Sequence, residues 1–171
     1  MFKVLDEVCK PTKGSKYSAA VDLYAREDIV ISDGGTVKVP LGVSIDSDKL
    51  EDLAMSETNI YFNYTTQEIE DIKYQFLESH YLQLEPRSSL RAKGLIAGTG
   101  IIDLDYKDEI MIILHYPLML ADFQDSPIFK SRYEISKGDK IAQILLKEHK
   151  TYLMGIDTQE ERTGGFGSTG N

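Results

Sequence analysis

Cysteine is nearly absent from this 171-residue chain. Cys9 stands alone, so no disulfide can form within the chain and no paired-cysteine metal site exists. As a nucleophile Cys9 would need a base, and the sequence nominates none among His80, His115 and His149, so a packed thiol is the plainer reading. Long apolar runs are also lacking. Nothing near Met1 has the character of a leader and no stretch has membrane length, so a cytosolic protein with no membrane partner is expected. Positive charge is scarce: 19 Lys and Arg face 28 Asp and Glu, for a net charge of −9. Such a chain has no electrostatic footprint for a nucleic-acid backbone, and direct nucleic-acid binding is not expected. A polyphosphate ligand would have to be held by a few well-placed cations, backbone N–H groups and a divalent metal. Neither a P-loop nor a Ser-His-Asp order occurs.

What is present is ordinary globular composition, 42% hydrophobic and 27% charged, over a length that suits one domain, residues 1–171. Short runs of Val, Ile, Leu and Tyr recur between turn signals at residues 2–5, 21–25, 29–31, 36–39, 43–45, 81–84, 110–115 and 141–146. That rhythm predicts an all-β sandwich, jelly roll or barrel. Residues 47–79 break it, because Glu, Asp, Gln, Lys and Leu replace the β-branched residues there, and the segment reads as a helical insert. Thr65 and Glu68 have the spacing of a capping box, after which Ile69, Ile72, Phe76 and Leu77 fall on one helical face. The uncharged aromatic stretch 59–64 within the insert either packs it onto the β domain or forms a partner-binding patch.

Three segments carry polar residues suited to chemistry. Asp103, Asp105, Asp108 and Glu109 crowd one run, which is either a solvated turn or a place that holds a cation or water, with one carboxylate as base. An extended start would put Asp103 and Asp105 on one side and Ile102 and Leu104 on the other. Pro86-Arg87-Ser88-Ser89-Leu90 sets a guanidinium beside two hydroxyls, a set that suits phosphate oxygens. Gln143 is a polar residue inside an apolar strand, available to a ligand or to neighbouring backbone. The glycine-rich stretch 160–171 cannot build core; it is either a flexible tail or a mobile arm that wraps phosphates while Phe166 lies on a ring. A metal, if used, should be oxygen-bound, which points to Mg2+ carried largely by phosphates.

Taken in order, these segments resemble the five motifs of the trimeric dUTPase family. Ser18-Ala19-Ala20-Val21-Asp22-Leu23 is similar to the first, Pro86 to Leu90 to the second, and Gly100-Ile101-Ile102-Asp103-Leu104-Asp105-Tyr106 to the third. Gly138-Asp139-Lys140-Ile141-Ala142-Gln143 resembles the fourth, and Arg162 to Gly170 the fifth. The resemblance implies a jelly-roll-like β barrel assembled as a homotrimer that hydrolyses dUTP to dUMP and pyrophosphate with Mg2+, keeping uracil out of DNA. It implies that Asp103 deprotonates the attacking water and that Tyr106 packs on deoxyribose. Arg87, Ser88, Ser89 and Gln143 would hold phosphates, with backbone of Gly100 and Ile101 on uracil. Arg162, Gly167, Ser168 and Thr169 would close on the γ-phosphate end, with Phe166 stacked on uracil and Asp22 supporting the metal or base network indirectly.

The sequence departs from the family pattern at Ala20, Asp108 and Ala97, and its 115–133 connection is longer than usual. The insert resembles an extra element of staphylococcal phage dUTPases, a resemblance that implies a repressor protein as a second partner. A dCTP deaminase is the nearest rival, but it lacks a fifth motif of this kind. A regulatory binding protein that has lost catalysis would not be expected to keep Asp103, Tyr106, Arg162 and Phe166.

Overall fold

Alternation of apolar and polar residues makes short strands the commonest element among the described residues. The structure, a computed structural model, describes residues 1–57, 64–117 and 132–156. Its strands are β1 (Phe2–Val4), β2 (Thr12–Lys13), β3 (Val21–Tyr24), β4 (Ile29–Ser32), β5 (Thr36–Pro40) and β6 (Val43–Ile45). Helices α1 (Ser47–Glu57) and α2 (Thr66–Ser79) follow, then β7 (His80–Pro86), the short helix α3 (Ser88–Ala92), β8 (Gly100–Asp103) and β9 (Met111–His115). After them come β10 (Arg132–Ile135) and β11 (Lys140–Glu148). The fold is thus all-β with a small helical insertion.

Every described pairing is antiparallel: a five-stranded sheet in the order β2-β3-β11-β7-β8, and the ribbons β1-β6, β10-β4 and β5-β9. One face of the sheet gives Leu23, Leu82, Leu84, Ala142 and Ile144 to the core, where Ile31, Val39, Val43, Ile112, Leu114 and Ile135 of the ribbons meet them, with Leu41 from the turn between β5 and β6. The opposite face of β7 carries Tyr81, Gln83 and Glu85. Arg132 and Tyr133, placed by the sequence pattern in a long connection, instead begin β10, because pairing with β4 makes them strand. Residues 118–131 of that connection lie outside the described residues.

The insert joins the core through one face. Leu50, Ala54 and Phe76 are buried, with Leu53, Ile72 and Leu77 packed around them. Thr65 and Glu68 close the expected capping box: Thr65 N–H donates to Glu68 Oε2 at 2.7 Å, and Glu68 N–H donates to Thr65 Oγ1 at 3.3 Å. Of the aromatic stretch between the helices, residues 59–63 lie outside the described residues. Cys9 is fully buried against Gly42, where an added Cβ would approach the Cys9 Cβ to 2.5 Å, and burial pushes its thiol pKa up. A thiol held neutral and enclosed is a packing element. Among the described residues no helix is long and apolar enough to cross a membrane.

Candidate active site

A polar row runs across the outer face of the five-stranded sheet. Asp22 on β3 lies directly opposite Gln143 on β11, which lies opposite Glu85 on β7. Directly paired side chains stand about 5 Å apart, so this row forms one continuous polar strip. Asp22 is only 6% exposed. Its Oδ1 accepts from Arg87 Nη1 and its Oδ2 accepts from Lys140 Nζ at 3.2 Å. The hydrogen bond to Asp22 raises the Lys140 pKa above its ordinary value, which secures its charge. Arg87 is further fixed by its backbone N–H, which donates to the Ile141 carbonyl at 3.0 Å. Ser88 and Ser89 come next and are exposed at the start of α3. Arg87, Ser88, Ser89 and Gln143 therefore share one end of the sheet, with cations set by a buried carboxylate.

Glu85 ties that end to the loop leading into β8. Its Oε1 accepts from Thr99 Oγ1 at 2.7 Å and Gln83 Nε2 at 2.8 Å, and its Oε2 accepts from Arg91 Nη2 at 2.9 Å. Those bonds, Thr99 first, hold its carboxyl below the usual carboxylate range. Gly100 packs closely on β7, where an added Cβ would lie 3.2 Å from Leu84 Cβ. A cavity of about 390 Å3 opens here, lined by residues 96–100 together with Leu84, residues 111–113 and His115. That volume suits a small ligand.

Strand β8 carries the third group. Exposure alternates as the sequence predicts: Ile101, Asp103 and Asp105 face out, whereas Leu104 and Tyr106 are buried. Tyr106 N–H donates to the Asp103 carbonyl at 3.1 Å, closing a tight turn behind the carboxylate. Asp103 sits opposite Tyr81, at the far end of β7 from Arg87. Arg87 is six residue steps along extended chain from Tyr81, roughly 20 Å at about 3.3 Å per residue. Among the described residues, one copy gathers Asp22, Arg87, Ser88, Ser89 and Gln143, with Gly100 near them across from Leu84, but holds Asp103 and Tyr106 apart from that group at the other end of β7. Arg162, Phe166, Gly167, Ser168 and Thr169 lie outside the described residues.

Sequence reasoning missed Lys140 and Glu85 as members of the site. Glu85 left a signal: a charged residue in step with Gln83 on a strand whose alternate residues, Leu82 and Leu84, are core. Among the described residues no cluster of three or more His, Cys, Asp or Glu side chains is arranged around a metal position.

Comparison with known proteins supplies the family. A family model for dUTPase matches residues 52–170. The deoxyuridine 5'-triphosphate nucleotidohydrolase of Candida glabrata is 31% identical over 94% of this chain and 88% of its own length. Among solved structures, a point mutant of the dUTPase of Staphylococcus aureus phage phi11, described as coordinating a structural Mg(II) ion, aligns with a TM-score of 0.62. It is 19% identical over 95% of this chain and 97% of that one. The dUTPase of Staphylococcus bacteriophage 80alpha with dUPNHPP, from work describing phage dUTPases as controlling transfer of virulence genes, aligns with a TM-score of 0.61. It is 21% identical over 100% of this chain and 98% of that one. These two structures share the fold, and the match through residues 52–170 together with the Candida relative places the chain in the dUTPase family of dUTP nucleotidohydrolases.

Proposed function

We propose that the chain converts dUTP to dUMP and pyrophosphate at sites shared between the copies of a homotrimer, with Asp103 as the base. The observation that carries this is the separation of Asp103 from Arg87, Ser88 and Gln143 along β7. A base that activates water at the α-phosphorus must lie within hydrogen-bond reach of that water, and the groups holding the same triphosphate must lie within a few ångströms. A gap of roughly 20 Å along the strand supports a site that takes Asp103 from one copy and the phosphate grip from a neighbour.

In that site Asp103 takes a proton from water as its oxygen attacks the α-phosphorus, and the bond to the bridging oxygen of pyrophosphate breaks. Tyr106 walls the deoxyribose, and the backbone from Gly98 to Ile101 offers N–H and C=O groups to a pyrimidine edge. Arg87, Ser88, Ser89 and Gln143 hold phosphate oxygens, with Arg87 oriented by Asp22. Arg162, Gly167, Ser168 and Thr169 close on the γ-phosphate end and Phe166 covers the base, which expels water. Both Asp22 oxygens are engaged by Arg87 and Lys140, a donor set that fits a cation riding on the substrate rather than one ligated by this carboxylate. Mg2+ bound to the triphosphate would spread the charge of the departing pyrophosphate.

Pyrophosphate release from dUTP, UTP, dTTP and dCTP, with Mg2+, tests the reaction. Turnover of dUTP alone is expected, with Asp103→Asn slower by about 10^2 to 10^4-fold. Mixing Asp103→Asn with Arg87→Gln tests the shared site. Reassembled together, two inactive variants should regain about a quarter of wild-type activity, because random mixing leaves some sites with both groups intact. No recovery on mixing, with exchange of copies verified, would place base and grip in one copy.

A second role is proposed for the insert, docking a repressor protein. It is supported by Tyr74, 64% exposed on α2 beside Glu70 and Asp71, and by the likeness in fold to the phage 80alpha protein. Replacing Tyr61, Phe62, Tyr64 and Tyr74 by Ala should abolish repressor binding and spare dUTP turnover; undiminished binding would remove the insert from that role.

A further inference from the structure

The Glu85 carboxylate does more than the proposed reaction requires of it. It lies on the outer face of β7 with its side chain 17% exposed, and three elements converge on it: Gln83 of the same strand, Arg91 of α3, and Thr99 of the loop entering β8. Arg91 lies two residues beyond Ser89 on the helix that presents the phosphate-binding hydroxyls. Thr99 lies between Gly98 and Gly100, in the backbone that lines the cavity.

We infer that Glu85 is a positioning residue that holds the phosphate-gripping turn and the base-reading loop of one copy in fixed relation, and so sets uracil selectivity and triphosphate affinity together. The inference rests on the shared-site reading. If each Asp103 works with a neighbour's Arg87 and Ser88, then α3 and the 98–101 loop of one copy serve two adjacent sites, and Glu85 supports one wall of each. A carboxylate is suited to this task, because its two oxygens accept from different elements at once and a charged acceptor makes stronger, more directional hydrogen bonds than a neutral one.

The three partners can be separated by substitution. Thr99→Val breaks only the link to the loop and should lower selectivity for dUTP over dTTP while leaving KM for dUTP within a few-fold. Arg91→Ala breaks only the link to α3 and should raise KM with selectivity retained. Glu85→Ala breaks both, and should raise KM about tenfold and lower selectivity about tenfold, the effect of losing one charge-assisted hydrogen bond on each side. Glu85→Gln keeps an acceptor for Thr99 but offers Arg91 an amide, so it should keep most selectivity and lose affinity. Hydrogen exchange over residues 95–103 should quicken in Glu85→Ala and Thr99→Val but not in Arg91→Ala.

A Glu85→Ala protein that melts earlier but keeps wild-type kcat, KM and selectivity would reduce Glu85 to a structural bond and overturn the inference. Wild-type protein that turns over no dUTP would overturn the reaction itself and the inference with it, a failure recognisable because it needs no variant.

Discussion

The five-stranded sheet and the helix pair are both rich in charge, and they use it in opposite ways. On the sheet, Asp22 and Glu85 have side chains 9% and 17% exposed, and each carboxylate has partners on both oxygens. On the helices, Glu51 faces Lys73 at 3.8 Å with side chains 44% and 27% exposed, a pairing that adds little in high dielectric. Charge set into a sheet row must be satisfied locally, and satisfying it fixes where Arg87, Lys140, Arg91 and Thr99 stand. Charge on the helices keeps the insert wet while its apolar face does the holding. Charge thus fixes side-chain positions on the sheet, whereas on the helices it is the buried apolar face that anchors the insert.

The sharpest way to break that contrast is Phe76→Ala. Phe76 is 4% exposed in the core and stacks on His80 at 4.3 Å, where the insert meets β7. Deleting such a ring costs about 3–5 kcal/mol. Urea denaturation should show that loss, and KM and kcat measured below the transition should stay near wild type. A fall in kcat with the protein still folded would show that the helices reach the chemistry after all.

Asp22→Ala should do the reverse, with less effect on stability and more on binding. It leaves the Arg87 and Lys140 cations without their shared acceptor, at a cost of about 2 kcal/mol, the low end for such a break because both cations keep access to water. KM for dUTP should rise by more than tenfold, as Arg87 loses its orientation. If Asp22→Ala were instead as destabilising as Phe76→Ala and silent in KM, the row would be core support and the distinction between the two regions would fail.

Much of this was legible in the chain. The apolar run from Tyr81 to Leu84 marks the middle of β7, and the Thr65 and Glu68 spacing marks the start of α2. Those signals are local, so they survive without tertiary information. Helix α3 was not legible: it is a single turn seated by Arg87 N–H on the Ile141 carbonyl, a contact 54 residues away by number, 141 less 87. Strand β10 was missed for the same reason, since Arg132 to Ile135 become strand by pairing with Ile29 to Ser32. In the site, motif order names Asp103, Arg87 and Gln143, yet only the register, Asp103 against Tyr81 and Gln143 against Glu85, reveals how far apart they lie and that Glu85 stands between them.

The smallest effect tests the helical side of the contrast by itself. Thr65→Ala removes the hydroxyl that accepts Glu68 N–H, and caps of this type are worth ~1 kcal/mol. Part of the box is electrostatic: the Thr65 N–H, then its hydroxyl, donates to Glu68 and lowers its carboxyl pKa below the ordinary 4.5. A carboxylate whose folded pKa is depressed stabilises above its unfolded value and loses that contribution as pH falls through the folded one. The urea midpoints of wild type and Thr65→Ala should therefore differ most near pH 7, and the difference should narrow without vanishing as pH drops below 4.5, because only the hydroxyl's bond to the Glu68 carboxylate is lost on protonation while the bond from Glu68 N–H is not. An equal difference at both pH values would assign the cap wholly to the hydrogen bond from Glu68 N–H, with no share from charge. dUTP turnover should be untouched at neutral pH, because the box closes α2 at the end remote from Phe76 and the sheet.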